Sequence, residues 1–288
     1  MQSNTIAMSV NDAVLLFLPK AEQKTVCIIA GAVTAALVGI VILGGIQRIG
    51  KASEIIVPFM AIGYIAICII VLSRFGSRIL PAFCDIFSSA LGIKQAVGGA
   101  AGFGAARALR IGMARGVYSN EAGVGSAPMA HACANTNDPV KQGMYGIFEV
   151  FADTIVMCTM TALVVLASGI PLQACGEISG TSIALRAFST VLPERTTGIF
   201  LAVSMLLFAY TSLLGWAVYG MQCAKYLFGK RAQVPFCILY TVLTFAGALM
   251  KVDFVWTAGE TLNYLMAAPN MLALLVLNRE VRRATAFA

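Results

Sequence analysis

Long runs without a polar face dominate the chain. Val26 to Ile46 and Ile55 to Leu72 are apolar on every side, a pattern shown by neither an amphipathic helix nor a half-buried strand. A hydrocarbon core about 30 Å thick takes roughly 20 helical residues to cross, and apolar stretches near that length fall at 26–46, 53–73, 144–168, 197–220, 234–250 and 254–277. All six predict helices, because outer-membrane strands would alternate apolar and polar residues over pieces of about 10. A weaker segment, 96–118, is rich in Gly and Ala and carries Arg107 and Arg110; it predicts a seventh, interrupted span. The expected fold class is an all-α polytopic membrane protein.

Composition narrows the class further. The chain is 59% hydrophobic and 11% charged, with a mean hydropathy of +0.85, which excludes an ordinary water-soluble domain of 288 residues. Its basic residues gather at alternate loops: Arg48 and Lys51; Arg110, Arg115 and Lys141; Lys225, Lys230 and Arg231; and Arg279, Arg282 and Arg283. Lys and Arg in short loops mark the cytoplasmic side, so the pattern predicts a multi-pass protein of the cell (inner) membrane, in contact with lipid, whose C-terminus lies inside. The net charge of +7 is then a by-product of topology. No basic-aromatic face gathers the charges, which argues against a nucleic-acid partner. Cys27, Cys68, Cys158, Cys223 and Cys237 sit in or beside apolar spans, where Cys behaves as a small hydrophobe, and no CxxC occurs. His131 is the lone histidine and has no second imidazole with which to share a metal, so a structural or interfacial role is expected.

One stretch breaks the apolar pattern, Gly112-Met113-Ala114-Arg115-Gly116-Val117-Tyr118-Ser119-Asn120-Glu121-Ala122-Gly123-Val124-Gly125-Ser126-Ala127-Pro128. An Arg, an Asn and a Glu beside a membrane boundary are costly unless they bond one another, free backbone groups or water. The stretch closely resembles the signature of the sodium:alanine (sodium:amino acid) symporter family. The resemblance continues through Val41-Ile42-Leu43-Gly44-Gly45-Ile46, Asp153-Thr154-Ile155, Leu213-Leu214-Gly215-Trp216 and Ala268-Pro269-Asn270, in the family's order.

That family is similar to the LeuT-type transporters, which have two inverted repeats of five helices and a substrate site at the midplane where helices are broken. On this map residues 1–24 are the remnant of a core helix with an external loop. Residues 25–78 are the last two helices of the first repeat, 79–278 are the second repeat, and 279–288 are a cytoplasmic tail. The resemblance implies an N-terminally truncated member, because the first repeat's broken helix, with its Gly-Thr-Gly-Asn-like turn, has no counterpart here.

Candidate site residues follow from the same map. Gly98-Gly99-Ala100-Ala101-Gly102-Phe103-Gly104 falls where the second repeat's broken helix unwinds. Read from the residues, this stretch is either a small-residue packing seam or exposed backbone facing a substrate carboxylate. The resemblance favours the second, with Gly98 and Gly99 in the binding turn and Phe103 walling the pocket. Ser212 and Trp216 are four apart and share a helix face. The hydroxyls of Thr211 and Ser212 either bond back to the preceding turn or offer oxygen to a hard cation. The resemblance implies that Thr211 and Ser212 hold sodium and that Gln2, Ser212 and Trp216 face the substrate.

Glu149 and Asp153 either line an interior path or sit at the interface, solvated or paired with Arg110 or Arg115. Asn120 and Glu121 are expected to form a structural lock on the cytoplasmic side. No paired catalytic carboxylates, histidine pair or nucleophile elbow suggests an enzyme. The implied activity is secondary active transport that couples sodium influx to uptake of a small neutral amino acid, alanine or glycine, with sodium as coupling ion and no other cofactor. The alternative is a transport-inactive membrane scaffold that needs a partner for the missing helices.

Overall fold

The computed structural model describes residues 1–90, 101–121, 123–170 and 180–286, which are helical almost throughout and contain no strand. The helices are α1 (Gln2–Phe17), α2 (Gln23–Ile42), α3 (Ile46–Arg74), α4 (Gly76–Ala90), α5 (Ala101–Asn120) and α6 (Ala127–His131). They continue with α7 (Pro139–Val150), a π-helical segment (Phe151–Met157), α8 (Cys158–Ala167), α9 (Gly180–Ser189), α10 (Glu194–Phe228), α11 (Gln233–Leu249) and α12 (Val252–Ala286). Helices satisfy their backbone polar groups internally, which lipid demands of any spanning segment.

Six stretches among the described residues are long and apolar enough to cross a membrane: Gln23–Ile42, Ile46–Arg74, Pro139–Ala167, Glu194–Phe228, Lys230–Leu249 and Phe254–Thr285. They overlie the six apolar runs of the sequence, and the chain is a multi-pass membrane protein. The expected seventh span is a helix as α5. Its glycines and arginines keep it outside that apolar set, as six are found among the described residues. Residues 101–104 of the glycine stretch lie within α5, while Gly98 and Gly99 fall outside the described residues. Where a short tail is expected after 278, α12 instead runs on through Pro269 to Ala286.

The long helix α10 is the pillar of the structure. On one side Leu201 joins Tyr64, Cys68, Val71, Leu163, Val164 and Phe188, contributed by α3, α8 and α9. The rings of Phe188, Phe200 and Phe208 surround Tyr64 with centroids 6.2, 6.1 and 5.7 Å away, and Tyr64 Oη lies 2.8 Å from Thr161 Oγ1. On the other side Ala209, Leu213, Leu214 and Ala217 pack against Ile6 of α1, Val38 and Ile42 of α2, and Cys237 of α11. The outer face of α2 carries Ile29, Val33, Leu37 and Ile40, all exposed, as a lipid-facing surface requires.

Helix α1 is short and polar yet deeply packed, with Ser3, Asn4, Ser9 and Asn11 buried beside Ile6 and Ala7. Asn4 Nδ2 donates to the Met250 carbonyl at 2.9 Å and lies within 3.4 and 3.5 Å of the Gly247 and Ala248 carbonyls, so it closes the C-terminus of α11. Small residues bring α2 against α11: a Cβ added at Gly31 would meet Ala248 Cβ at 2.7 Å, and one at Gly39 would meet Thr241 Cγ2 at 3.1 Å. Gly31, Ala35 and Gly39 recur every fourth residue, the spacing that lets membrane helices approach closely.

Candidate functional site

The glycine-punctuated stretch after α5 folds into a turn that satisfies its own polar groups. Glu121 takes a φ of 54°, and Gly123 and Gly125 take 78° and 87°, so three left-handed residues reverse the chain within a short span. Two of these are glycines because close neighbours leave no room: a Cβ on Gly125 would stand 2.7 Å from Asn270 Oδ1. Ser126, fully buried, donates from Oγ to Glu121 Oε2 at 2.6 Å. Asn120 Nδ2 donates to Thr154 Oγ1 at 2.9 Å, within the π-helical segment, and Asn270 Nδ2 of α12 donates to the Gly123 carbonyl at 3.0 Å. π-Helical turns are uncommon and concentrate at functional sites. The expected lock therefore joins α5, the π segment and α12.

The Glu121 carboxyl is lifted above the usual carboxylate range, mainly by burial, with the Glu149 charge adding to the rise. Hydrogen bonds from Ser126 and from Trp216 favour the ionised form and oppose the shift. Along α10 Phe208, Ser212, Trp216 and Tyr219 form one half-buried stripe, with the Trp216 and Tyr219 rings 5.5 Å apart and T-shaped. The stripe runs from the Tyr64 aromatic cluster to the Glu121 turn.

Gln2 begins α1, which lies antiparallel to α10. Leu16 presses on Gly198, and Gln2 stands fourteen residues before the one while Ser212 stands fourteen after the other. Equal helical rise brings Gln2 level with Ser212. Beside Gln2, Tyr118 Oη donates to Met1 Sδ at 2.8 Å, and Met1 rests on Gly259 of α12. Thr211 Oγ1 lies 3.0 Å from both the Leu207 and Phe208 carbonyls, so its proton goes to the preceding turn while its lone pairs remain available. Phe103 lies on α5, and the glycines at 98 and 99 lie outside the described residues.

Glu149 and Asp153 are both exposed, and neither pairs with Arg110 or Arg115 among the described residues. Glu149 Oε2 is 3.4 Å from His131 Nε2, whose Nδ1 is 2.8 Å from Gln142 Nε2, which gives His131 an interfacial role. Arg115 is engaged elsewhere: Nη1 pairs with Glu260 Oε1 at 2.7 Å and the guanidinium covers the Trp256 ring at 4.5 Å. Arg110 is exposed as well. Sequence reasoning missed Asn263 of α12, which is 3% exposed with both amide atoms unpartnered. Its one visible signal is its place between Glu260 and Asn270 on one polar face of α12.

The model of the sodium:alanine symporter family matches residues 1–287. The chain belongs to the sodium:alanine symporter family. It is 40% identical over 254 residues to the sodium/alanine symporter AgcS of Methanococcus maripaludis, covering 87% of this chain and 54% of that protein. An uncharacterized transporter of Haemophilus influenzae is 37% identical over 88% of this chain and 55% of its own length. The sodium/proton-dependent alanine carrier protein of Bacillus sp. strain PS3 is 30% identical over 96% of this chain and 62% of its own length. The chain spans about half the length of the first two of these symporter relatives.

Proposed function

We propose that this chain serves a secondary active transporter of the inner membrane that couples sodium influx to uptake of a small neutral amino acid, alanine or glycine. The observation that carries the reading is family membership over residues 1–287. The half-buried stripe on α10 gives that reading its chemistry. In this proposal Ser212 and Trp216 line the substrate path with Gln2 across from them, Gly98, Gly99 and Phe103 complete it, and Thr211 and Ser212 lend oxygens to sodium. A dehydrated cation must replace each lost water by a protein oxygen, and Thr211 retains lone pairs for that purpose. In this reading 25–78 close a first inverted repeat and 79–278 form a second, and the site lies at the midplane between them.

The test is uptake of radiolabelled alanine by proteoliposomes carrying the purified 288-residue chain with whatever subunit copurifies, under an inward sodium gradient. Sodium-dependent accumulation is expected from the chain together with a copurifying subunit, and none from the chain alone. Thr211→Ala and Ser212→Ala are expected to raise the sodium concentration needed for half-maximal uptake, and Trp216→Ala to weaken alanine uptake. Correctly inserted protein with neither sodium-dependent binding nor uptake would overturn the proposal and favour a transport-inactive scaffold.

A further inference from the structure

Ser9 on α1, like Ser189 at the end of α9, lacks the back-bond that several helical threonines make. Thr197, Thr241 and Thr244 each hydrogen-bond the carbonyl four residues back, whereas Ser9 Oγ, in a residue 3% exposed, has no partner. Ser9 borders a partly open cavity of about 20 Å³ between α1, α9 and α10, with Asp12, Thr181, Leu185 and Leu201 among its walls. A space of that size takes one body the size of a water molecule. Ser9 and Asp12 are three apart on α1 and so present their oxygens on one face.

Charge decides what that body is. Among the described residues no Lys or Arg stands at ion-pair distance from Asp12, which is half-buried. A water would satisfy Ser9 and leave the carboxylate without a counter-charge. A small cation would do both, since hard cations take carboxylate and hydroxyl oxygens, and the apolar walls of Leu185 and Leu201 lower the local polarity and so strengthen the attraction. We propose that the Ser9–Asp12–Thr181 cavity is a binding site for one monovalent alkali cation, separate from the Thr211 and Ser212 oxygens. The site stands on its own geometry, whatever the fate of the transport reading.

The experiment measures equilibrium binding of ²²Na⁺, and of ⁸⁶Rb⁺ as a stand-in for potassium, to the purified chain in lipid nanodiscs. Choline chloride holds the ionic strength constant. A Thr211→Ala/Ser212→Ala background assigns the signal to the α1 cavity. Saturable binding of one ion per chain is expected in that background. Adding Asp12→Asn should weaken it at least tenfold, and Ser9→Ala, which keeps the charge and removes one oxygen, several-fold. The preferred isotope identifies the ion. Absence of saturable binding in that background, or binding unchanged by both Asp12→Asn and Ser9→Ala, would overturn the proposal and leave a structural water as the occupant.

Discussion

Replacing Gly31 by Ala is expected to destabilise the protein even though Ala is the better helix former. The added Cβ would lie 2.7 Å from Ala248 Cβ, whereas carbon atoms settle at about 3.5–4.0 Å, so α2 and α11 must part by roughly 1 Å at that level. Neither atom can swing aside, because each is the first carbon of its side chain. Overpacking of this kind costs about 1–3 kcal/mol, against a helix-propensity gain of up to about 1 kcal/mol. Gly63 on α3 supplies the control: nothing lies within 4 Å of a Cβ built there, so Gly63→Ala collects only the propensity gain. The difference between the two variants isolates the packing cost, about 1–3 kcal/mol. Detergent-induced unfolding in bicelles, followed by the fluorescence of Trp216 and Trp256, reads both free energies. Adding Ala248→Gly to Gly31→Ala should recover most of the loss. Equal stability of the two single variants, or a double variant no better than Gly31→Ala, would refute the contact.

Two further outcomes follow from the charges. The folded state raises the Glu121 carboxyl above its ordinary value, so it holds a proton that the unfolded chain releases; stability should fall as pH climbs through the ordinary carboxylate range towards the raised value, and stay lower above it. Glu121→Gln should flatten that part of a stability–pH curve, and an unchanged slope would place the titration elsewhere. For topology, single cysteines placed beside Lys51, Lys230 and Arg282 in a background lacking reactive thiols should react with impermeant reagents only from the cytoplasmic face. Labelling of any one from outside would break the inside assignment of these basic clusters.

The spans were legible because a membrane helix reports itself locally. Twenty apolar residues suffice, and Gln23–Ile42 or Lys230–Leu249 need no partner to be recognised. The role of α1 was not legible in that way. Asn4 reads as a polar interruption, and its carbonyl partners at Gly247, Ala248 and Met250 lie more than 240 residues away. The π turn at Phe151–Met157 has no compositional mark, since its residues would suit an α-helix equally well. Thr211 shows the limit of a single-residue reading: both of its expected roles use the same oxygen, and the bond back to Leu207 and Phe208 engages the proton while leaving the lone pairs undecided.

The signature stretch shows how far a physical rule reaches. Its polar side chains had to be bonded to persist beside lipid, and that necessity is met by Ser126 on Glu121 and Thr154 on Asn120. The rule states that partners exist but cannot name them. Arg115 was as eligible for Glu149 as for Glu260, and the choice falls to Glu260 because the Trp256 face lies beside it and holds the guanidinium flat. Glu149 is thereby left to His131, whose ring is fixed by Gln142. Arg115 is thus engaged by two residues of α12, Trp256 and Glu260, and Glu149 stands beside His131. Glu121 has no arginine pair among the described residues and takes its hydrogen bond from the Ser126 hydroxyl. A half-buried carboxylate held by one neutral hydroxyl is sensitive to the movement of that donor, and Ser126 stands at the start of α6, so a shift of α6 against the end of α5 would act directly on the Glu121 carboxyl.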